Sequence, residues 1–139
     1  MEKLNVKHDY PLADKRPELI RTPTGKKIDE ITMEQVLEGN VKIEDCRISD
    51  RTLEYQAQIA ESAGNRQMAA NLRRAAELTG FPDERVLEIY GALRPFRSTK
   101  EELLQIADEL EAKGAVINAA FVRQAADVYE KRKKLKGDK

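Results

Sequence analysis

The residues of this chain that could carry chemistry are few, and each lacks the partner its chemistry requires. His8 is the only histidine among 139 residues. An imidazole acts as a general base beside a Ser or Cys nucleophile held in a rigid frame, and His8 lies in a leading segment broken by prolines. Cys46 is the only cysteine. With no second Cys and no neighbouring His it lacks the other ligands of a zinc site and the base that activates a thiol. Beside Ile48 it reads as a small buried or half-buried residue. Thr22-Pro23-Thr24-Gly25-Lys26 superficially has the look of a phosphate loop. The first Gly of GxxxxGK[ST] is missing, Lys27 stands where a hydroxyl is needed, and no strand precedes it. It reads as a turn in which Pro23 fixes φ and Gly25 takes a positive φ. The acid neighbours Glu101 with Glu102 and Asp108 with Glu109 fall in helix first turns or on wet faces, where they serve helix ends and hydration. No catalytic, cofactor-binding or metal-binding residue is therefore assigned to this chain.

Charge is distributed more tellingly. Between Arg47 and Arg97 every basic residue is arginine, and all 13 lysines lie outside that stretch. The two side chains keep a surface equally soluble, so a solvent-only role does not explain the segregation. A guanidinium is less strongly hydrated than an ammonium and forms two-pronged carboxylate contacts that survive partial burial. The helix centre of the chain thus reads as built for ion pairs out of water, within the fold or against another protein. From Lys131 to Lys136 five cations fall in six residues. Cations at a helix C-terminus complement the dipole. An RNA-binding tail is the alternative, and it finds no support in a chain of zero net charge with no Phe or Trp in that run.

The elements that must position these groups are helical. Hydrophobic residues make up 40% of the chain and charged residues 36%, with 5% aromatic and no Trp. That is thin core material for one domain. It implies a slender fold or a surface completed by a partner. No apolar run approaches the ~20 residues of a membrane span. Nor does the start resemble a signal peptide, and a single cysteine points to a reducing, cytosolic setting. A membrane protein, a disulfide scaffold and a strongly basic nucleic-acid binder are excluded.

Pro11, Pro17 and Pro23 restrict their neighbours to extended geometry. Residues 1–28 therefore read as an extended arm whose Leu4, Val6, Tyr10, Leu12, Leu19 and Ile20 anchor it to another surface. Beyond it, Thr32 with Gln35 caps a short helix ended by Gly39. Ser49 caps a helix to about Ala63, and Asn65 caps the next, to Thr79. Pro82 opens a fourth, with Val86, Ile89, Tyr90 and Leu93 on one face. Ser98 with Glu101 opens a fifth, carrying Leu103, Ile106, Ala107 and Leu110. Gly114 separates it from a last helix, Val116 to Lys133. The reading is all-α: a small helical domain of about five to six helices, residues 29–139, with an extended N-terminal arm, residues 1–28. Two helices are apolar on two stripes. The Ser49 helix carries Leu53, Ala57 and Ala60 on one and Tyr55, Ile59 and Ala63 on the other. The last helix carries Ile117, Phe121 and Val128 beside Val122, Ala125 and Tyr129. Two stripes fit either a central helix or a docking face.

The same segments carry a resemblance. Asp9-Tyr10-Pro11-Leu12-Ala13, Thr22-Pro23-Thr24-Gly25-Lys26, Arg47-Ile48-Ser49 and Thr52-Leu53-Glu54-Tyr55-Gln56-Ala57 are similar to the small (gamma) subunit of adenosylcobalamin-dependent diol and glycerol dehydratases. So are Arg74-Ala75-Ala76-Glu77-Leu78, Pro82-Asp83-Glu84-Arg85, Ala92-Leu93-Arg94-Pro95-Phe96-Arg97-Ser98 and Ala120-Phe121-Val122-Arg123. None is a catalytic signature; the specificity lies in their number and order. Gly91 departs from the Asn expected there and weakens a helix interior by up to ~1 kcal/mol against Ala.

The resemblance implies an accessory subunit that clasps a large, TIM-barrel (alpha) subunit in a dimer of heterotrimers with a medium (beta) subunit. Adenosylcobalamin would be bound by those other subunits and not by this chain. The expected reaction is conversion of propane-1,2-diol or glycerol to an aldehyde and water, with no role for nucleic acid or membrane. Docking is expected of Tyr10, Leu12, Tyr55, Arg94, Phe96 and Arg97. The expected location is the cytoplasm, since the chain starts close to the shared region without the longer extension that helps encapsulation; a bacterial microcompartment is the alternative. The contrasting expectation is a free-standing helical adaptor or RNA-binding protein using Lys131 to Lys136.

Overall fold

A computed structural model describes residues 1–139. The chain is all-α, with a single antiparallel bridge between Arg21 and Lys27 and no strand. It divides into two compact units, Met1–Thr79 and Gly80–Lys139, so the leading residues belong to the first unit.

Within that leading segment, expected to be extended with little helix of its own, Asn5, Pro11 and Pro17 begin short helical turns. Asn5 accepts from the Lys7 and His8 amides and starts α1, Val6–Asp9. Pro11 precedes α2, Leu12–Lys15, and Pro17 opens the 3-10 turn Pro17–Leu19. Arg16 ties these turns together by pairing with Glu2 at 2.8 Å, Asp9 at 3.0 Å and Glu18 at 2.7 Å. Further 3-10 turns, Ile28–Glu30 and Ile43–Cys46, flank α3, Met33–Leu37, where Thr32 caps as expected by accepting from the Gln35 amide.

The first unit is completed by α4, Asp50–Ser62, and α5, Arg66–Leu78, which pack on each other. Both stripes of α4 are used inside the unit. Ala57 and Ala60 meet Ala69 and Leu72 of α5. Tyr55 and Ile59 are covered by Leu4 and Leu12, with Val6, Leu19 and Ile20 alongside. The central-helix alternative is therefore the one observed for α4. Main-chain amides of the leading segment also find partners there: Leu4 N–H donates to Gln58 Oε1 and Val6 N–H to Ser62 Oγ, both at 2.8 Å.

The second unit contains α6, Asp83–Ala92, α7, Lys100–Ala112, and α8, Val116–Arg132. Its largest fully buried side chains are Leu103, Leu110 and Val122. Two caps sit off their expected positions, and a third keeps its place without its bond. Thr99, not Ser98, caps α7 and exchanges bonds with Glu102, because the Ser98 hydroxyl donates to the Ala92 carbonyl instead. Asn65 occupies the N-cap of α5 without a side-chain cap bond. Pro82 precedes α6 as its N-cap. On α6 Ile89 is buried but Tyr90 faces solvent. Gly91 lies inside α6 with no atom within 4 Å of an added Cβ, so the helix tolerates it without needing it.

The two units repeat one helical hairpin, fifty positions apart. Leu53, Ala57, Glu61, Gly64, Ala69, Arg73, Ala75 and Ala76 recur as Leu103, Ala107, Glu111, Gly114, Ala119, Arg123, Ala125 and Ala126. The turns superpose in their dihedrals and bonds. Gly64 and Gly114 have φ of 87° and 88°, a left-handed backbone that favours glycine. The Asn65 and Ala115 amides each donate to the carbonyl five residues back at 2.8 Å. Arg73 reaches Glu61 at 2.8 Å just as Arg123 reaches Glu111 at 2.7 Å.

Candidate docking surface

Of the six anchors read from the sequence, two are already covered within this chain. Leu12 is 7% exposed and Tyr55 5%, each packed in the core that joins the leading segment to α4. Their burial has a simple cause. An apolar residue spaced along a leading segment signals something to lie against, and α4's second stripe supplies it.

The other four anchors face outward. Tyr10 is 62% exposed at the junction of α1 and α2. Arg94, Phe96 and Arg97 form the connection from α6 to α7. Phe96 holds φ at 67°, an uncommon backbone for a residue with a Cβ, and remains 44% exposed. The conformation is fixed from outside the loop: Phe96 N–H donates to the Lys134 carbonyl at 2.7 Å, and the Lys134 ammonium sits 5.1 Å from the ring centroid. Lys136 N–H donates to the Ser98 carbonyl, and the Tyr129 hydroxyl donates to the Leu93 carbonyl at 2.6 Å. The C-terminal cations thus sit on a backbone hooked to the Phe96 loop, and Lys133 ends α8 in a left-handed conformation.

The arginine block divides as well. Arg73 pairs with Glu54 and Glu61, which lowers the Glu61 carboxyl below its ordinary range through the hydrogen bond from Arg73. Arg85 joins α6 to α7 by donating to Glu109 through Nε at 3.1 Å, and also pairs with Glu88. Its guanidinium is held above its usual range by Glu109 first and Glu88 second. Within the second unit Arg85, Lys100 and Arg123 make ion pairs, and Arg94 and Arg97 lie on the exposed loop. Such half-exposed pairs orient helices more than they stabilise them.

The loop at Thr22 to Lys26 has a role that a turn reading alone does not supply. Asp45 is buried, and both of its oxygens are occupied. Oδ1 accepts from the Thr24 hydroxyl and from the Thr22 hydroxyl at 3.1 Å. Oδ2 accepts from Lys26 Nζ and from Lys42 N–H, both at 3.0 Å. These donors, the Thr24 hydroxyl first and the Lys42 amide second, hold the Asp45 carboxyl far below the usual carboxylate range. The latch closes the chain between Lys26 and Asp45. Sequence reading missed this acid because its neighbours in sequence give no hint of the hydroxyls some twenty residues away.

Between those latch points lies a second feature it missed. Ile28, Ile31, Met33, Val36, Leu37 and Ile43 are all exposed, and neither the Ile28–Glu30 turn nor α3 contributes a buried residue. The available signal was a helix of five residues with three apolar side chains, too short to pack on its own unit. Cys46 is an exposed free thiol just past it. No helix is long and apolar enough to cross a membrane.

The dehydratase small subunit family matches residues 5–136 of this chain. The propanediol dehydratase small subunit of Salmonella typhimurium is 59% identical over 131 residues, covering 94% of this chain and 76% of that protein. The propanediol dehydratase small subunit of Citrobacter freundii is 57% identical over the same extent of each chain. A match through nearly every element of both units leaves one conclusion: the chain belongs to the dehydratase small-subunit family.

Proposed function

We propose that this chain is the accessory small subunit of an adenosylcobalamin-dependent propanediol or glycerol dehydratase. In this role it braces the large barrel subunit so that the active site keeps its geometry. The carrying observation is the 59% identity to a propanediol dehydratase small subunit across 94% of the chain. In support, the residues that face outward are suited to protein contact: Tyr10, Arg94, Phe96 and Arg97 are aromatic or guanidinium groups, the types that dominate interface energetics. Phe96 is held in its uncommon backbone by contacts that leave the ring outside.

The residues here do not fit the cobalamin cofactor. The groove beside α7 is open and polar, and its Arg85 and Glu109 are bonded to each other. We assign the cofactor to the large and medium subunits, in a dimer of three-subunit units acting in the cytoplasm or in a microcompartment. Radical chemistry then belongs to the cofactor, and the protein excludes competing reactions.

Co-expression with large and medium dehydratase subunits tests this. The expected result is co-purification and adenosylcobalamin-dependent formation of aldehyde from propane-1,2-diol. A complex of full stability and turnover without this chain would overturn it. Phe96→Gly sharpens the test: relief of the left-handed backbone, about 1 kcal/mol, offsets loss of the ring contact with Lys134, about 0.5–1 kcal/mol. The isolated chain should therefore keep its unfolding midpoint while recovery of the complex falls.

A further inference from the structure

We propose that residues 28–44 form a preorganised acidic and apolar docking loop whose occupant is a basic-rimmed apolar surface of the large subunit; this rests on the accessory-subunit reading above. Three observations converge on it. The loop is rich in large apolar side chains that the first unit does not use: Met33, Leu37 and Ile43 are 72%, 80% and 77% exposed, while the core of that unit is filled from Leu4, Leu12 and α4. Exposed apolar side chains grouped on one segment mark an interaction surface.

The loop is nevertheless held in shape. The Asp45 carboxylate, gripped by Thr22, Thr24 and Lys26, fastens its two ends, and Glu30 Oε2 and Thr32 Oγ1 cap its turns. A fastened loop loses less entropy on docking than a floppy one. Its charge selects the occupant. Asp29, Glu30, Glu34, Glu38 and Glu44 are exposed against Lys42 alone. Such a surface repels phosphate-bearing nucleic acid and anionic lipid and attracts apolar protein ringed by Lys and Arg.

The experiment uses the three-subunit complex and the double variant Leu37→Asp with Ile43→Asp. Both side chains are already in water, so the isolated chain keeps its helical signal. The expected result is at least a tenfold weaker association with the large subunit by sedimentation or biolayer measurement. In addition, the Cys46 thiol of the wild-type chain should be alkylated at least tenfold more slowly in the complex than in the free chain, read as mass added to this chain. If the wild type assembles and the double variant assembles equally well, the docking loop is overturned while the accessory-subunit reading stands. If the wild type alone self-associates, the variant does not, and assembly is unchanged, the occupant is a second copy and the proposal fails. If the wild type fails to bind the large subunit at all, both readings fall together.

Discussion

Asp45 shows how one carboxylate can organise a segment with no packed helix of its own. Its oxygens accept from two hydroxyls, an ammonium and an amide drawn from both ends of the docking loop. Because these donors favour the charged form, its folded pKa lies below the ~3.9 of an unfolded Asp. A group depressed in this way contributes stability that is complete above its unfolded value and is lost as pH falls through the folded one. Asp45→Asn keeps the shape but removes the charge and one acceptor. The variant should unfold at lower urea than the wild type at neutral pH. The gap should hold down to about pH 5 and narrow steadily below about pH 4. Asp9, also depressed through the Asn5 amide and then Arg16, titrates in both proteins and cancels from the difference. A gap that stayed constant to pH 3 would show that hydroxyl contacts alone, without the charge, hold the loop.

Helices were legible from the sequence where a local signal fixed them. Ser49, Gly64 and Gly114 bound their elements because capping and left-handed termination are properties of a few adjacent residues. Thr99 displaced Ser98 as a cap because the Ala92 carbonyl, on another element, competes for the Ser98 hydroxyl. The hairpin repeat was present in the letters, at Leu53 and Leu103 or Arg73 and Arg123, but shows only when the chain is compared with itself. That comparison also separates the copies: Ala60 of α4 occupies the place of Leu110 in α7. Leu110 is 1% exposed, so the second hairpin encloses the larger side chain fully. Leu110→Ala places the residue of the other copy in a site that encloses a leucine. The loss should be about 2–5 kcal/mol, as for other buried Leu-to-Ala cavities. A calorimetric or urea measurement finding under 1 kcal/mol would mean that the two hairpins tolerate the same spacing.

At the scale of the chain, the leading residues decide whether the first unit holds together. A spaced row of apolar residues among prolines reads from sequence as a clasp for a partner, because nothing local reveals that α4 has a second stripe to cover. The structure places Leu4 and Leu12 on that stripe, and burying side chains of this size stabilises by about 1.5–3 kcal/mol each. Removing residues 1–28 therefore does more than strip a handle. It uncovers Tyr55 and Ile59, deletes the Arg16 cluster, and takes Thr22, Thr24 and Lys26 from Asp45. The second unit has its own core in Leu103, Leu110 and Val122 and keeps every contact named for it above. Hydrogen exchange on the truncated chain should then show α4 and α5 losing protection while α7 and α8 retain theirs. The truncated chain should also assemble poorly, as a consequence of unfolding in its first unit. Equal loss of protection in both units would mean that they unfold as one. Full protection everywhere would mean that α4's second stripe is stable in water, and that the leading segment is free to act on a neighbour alone.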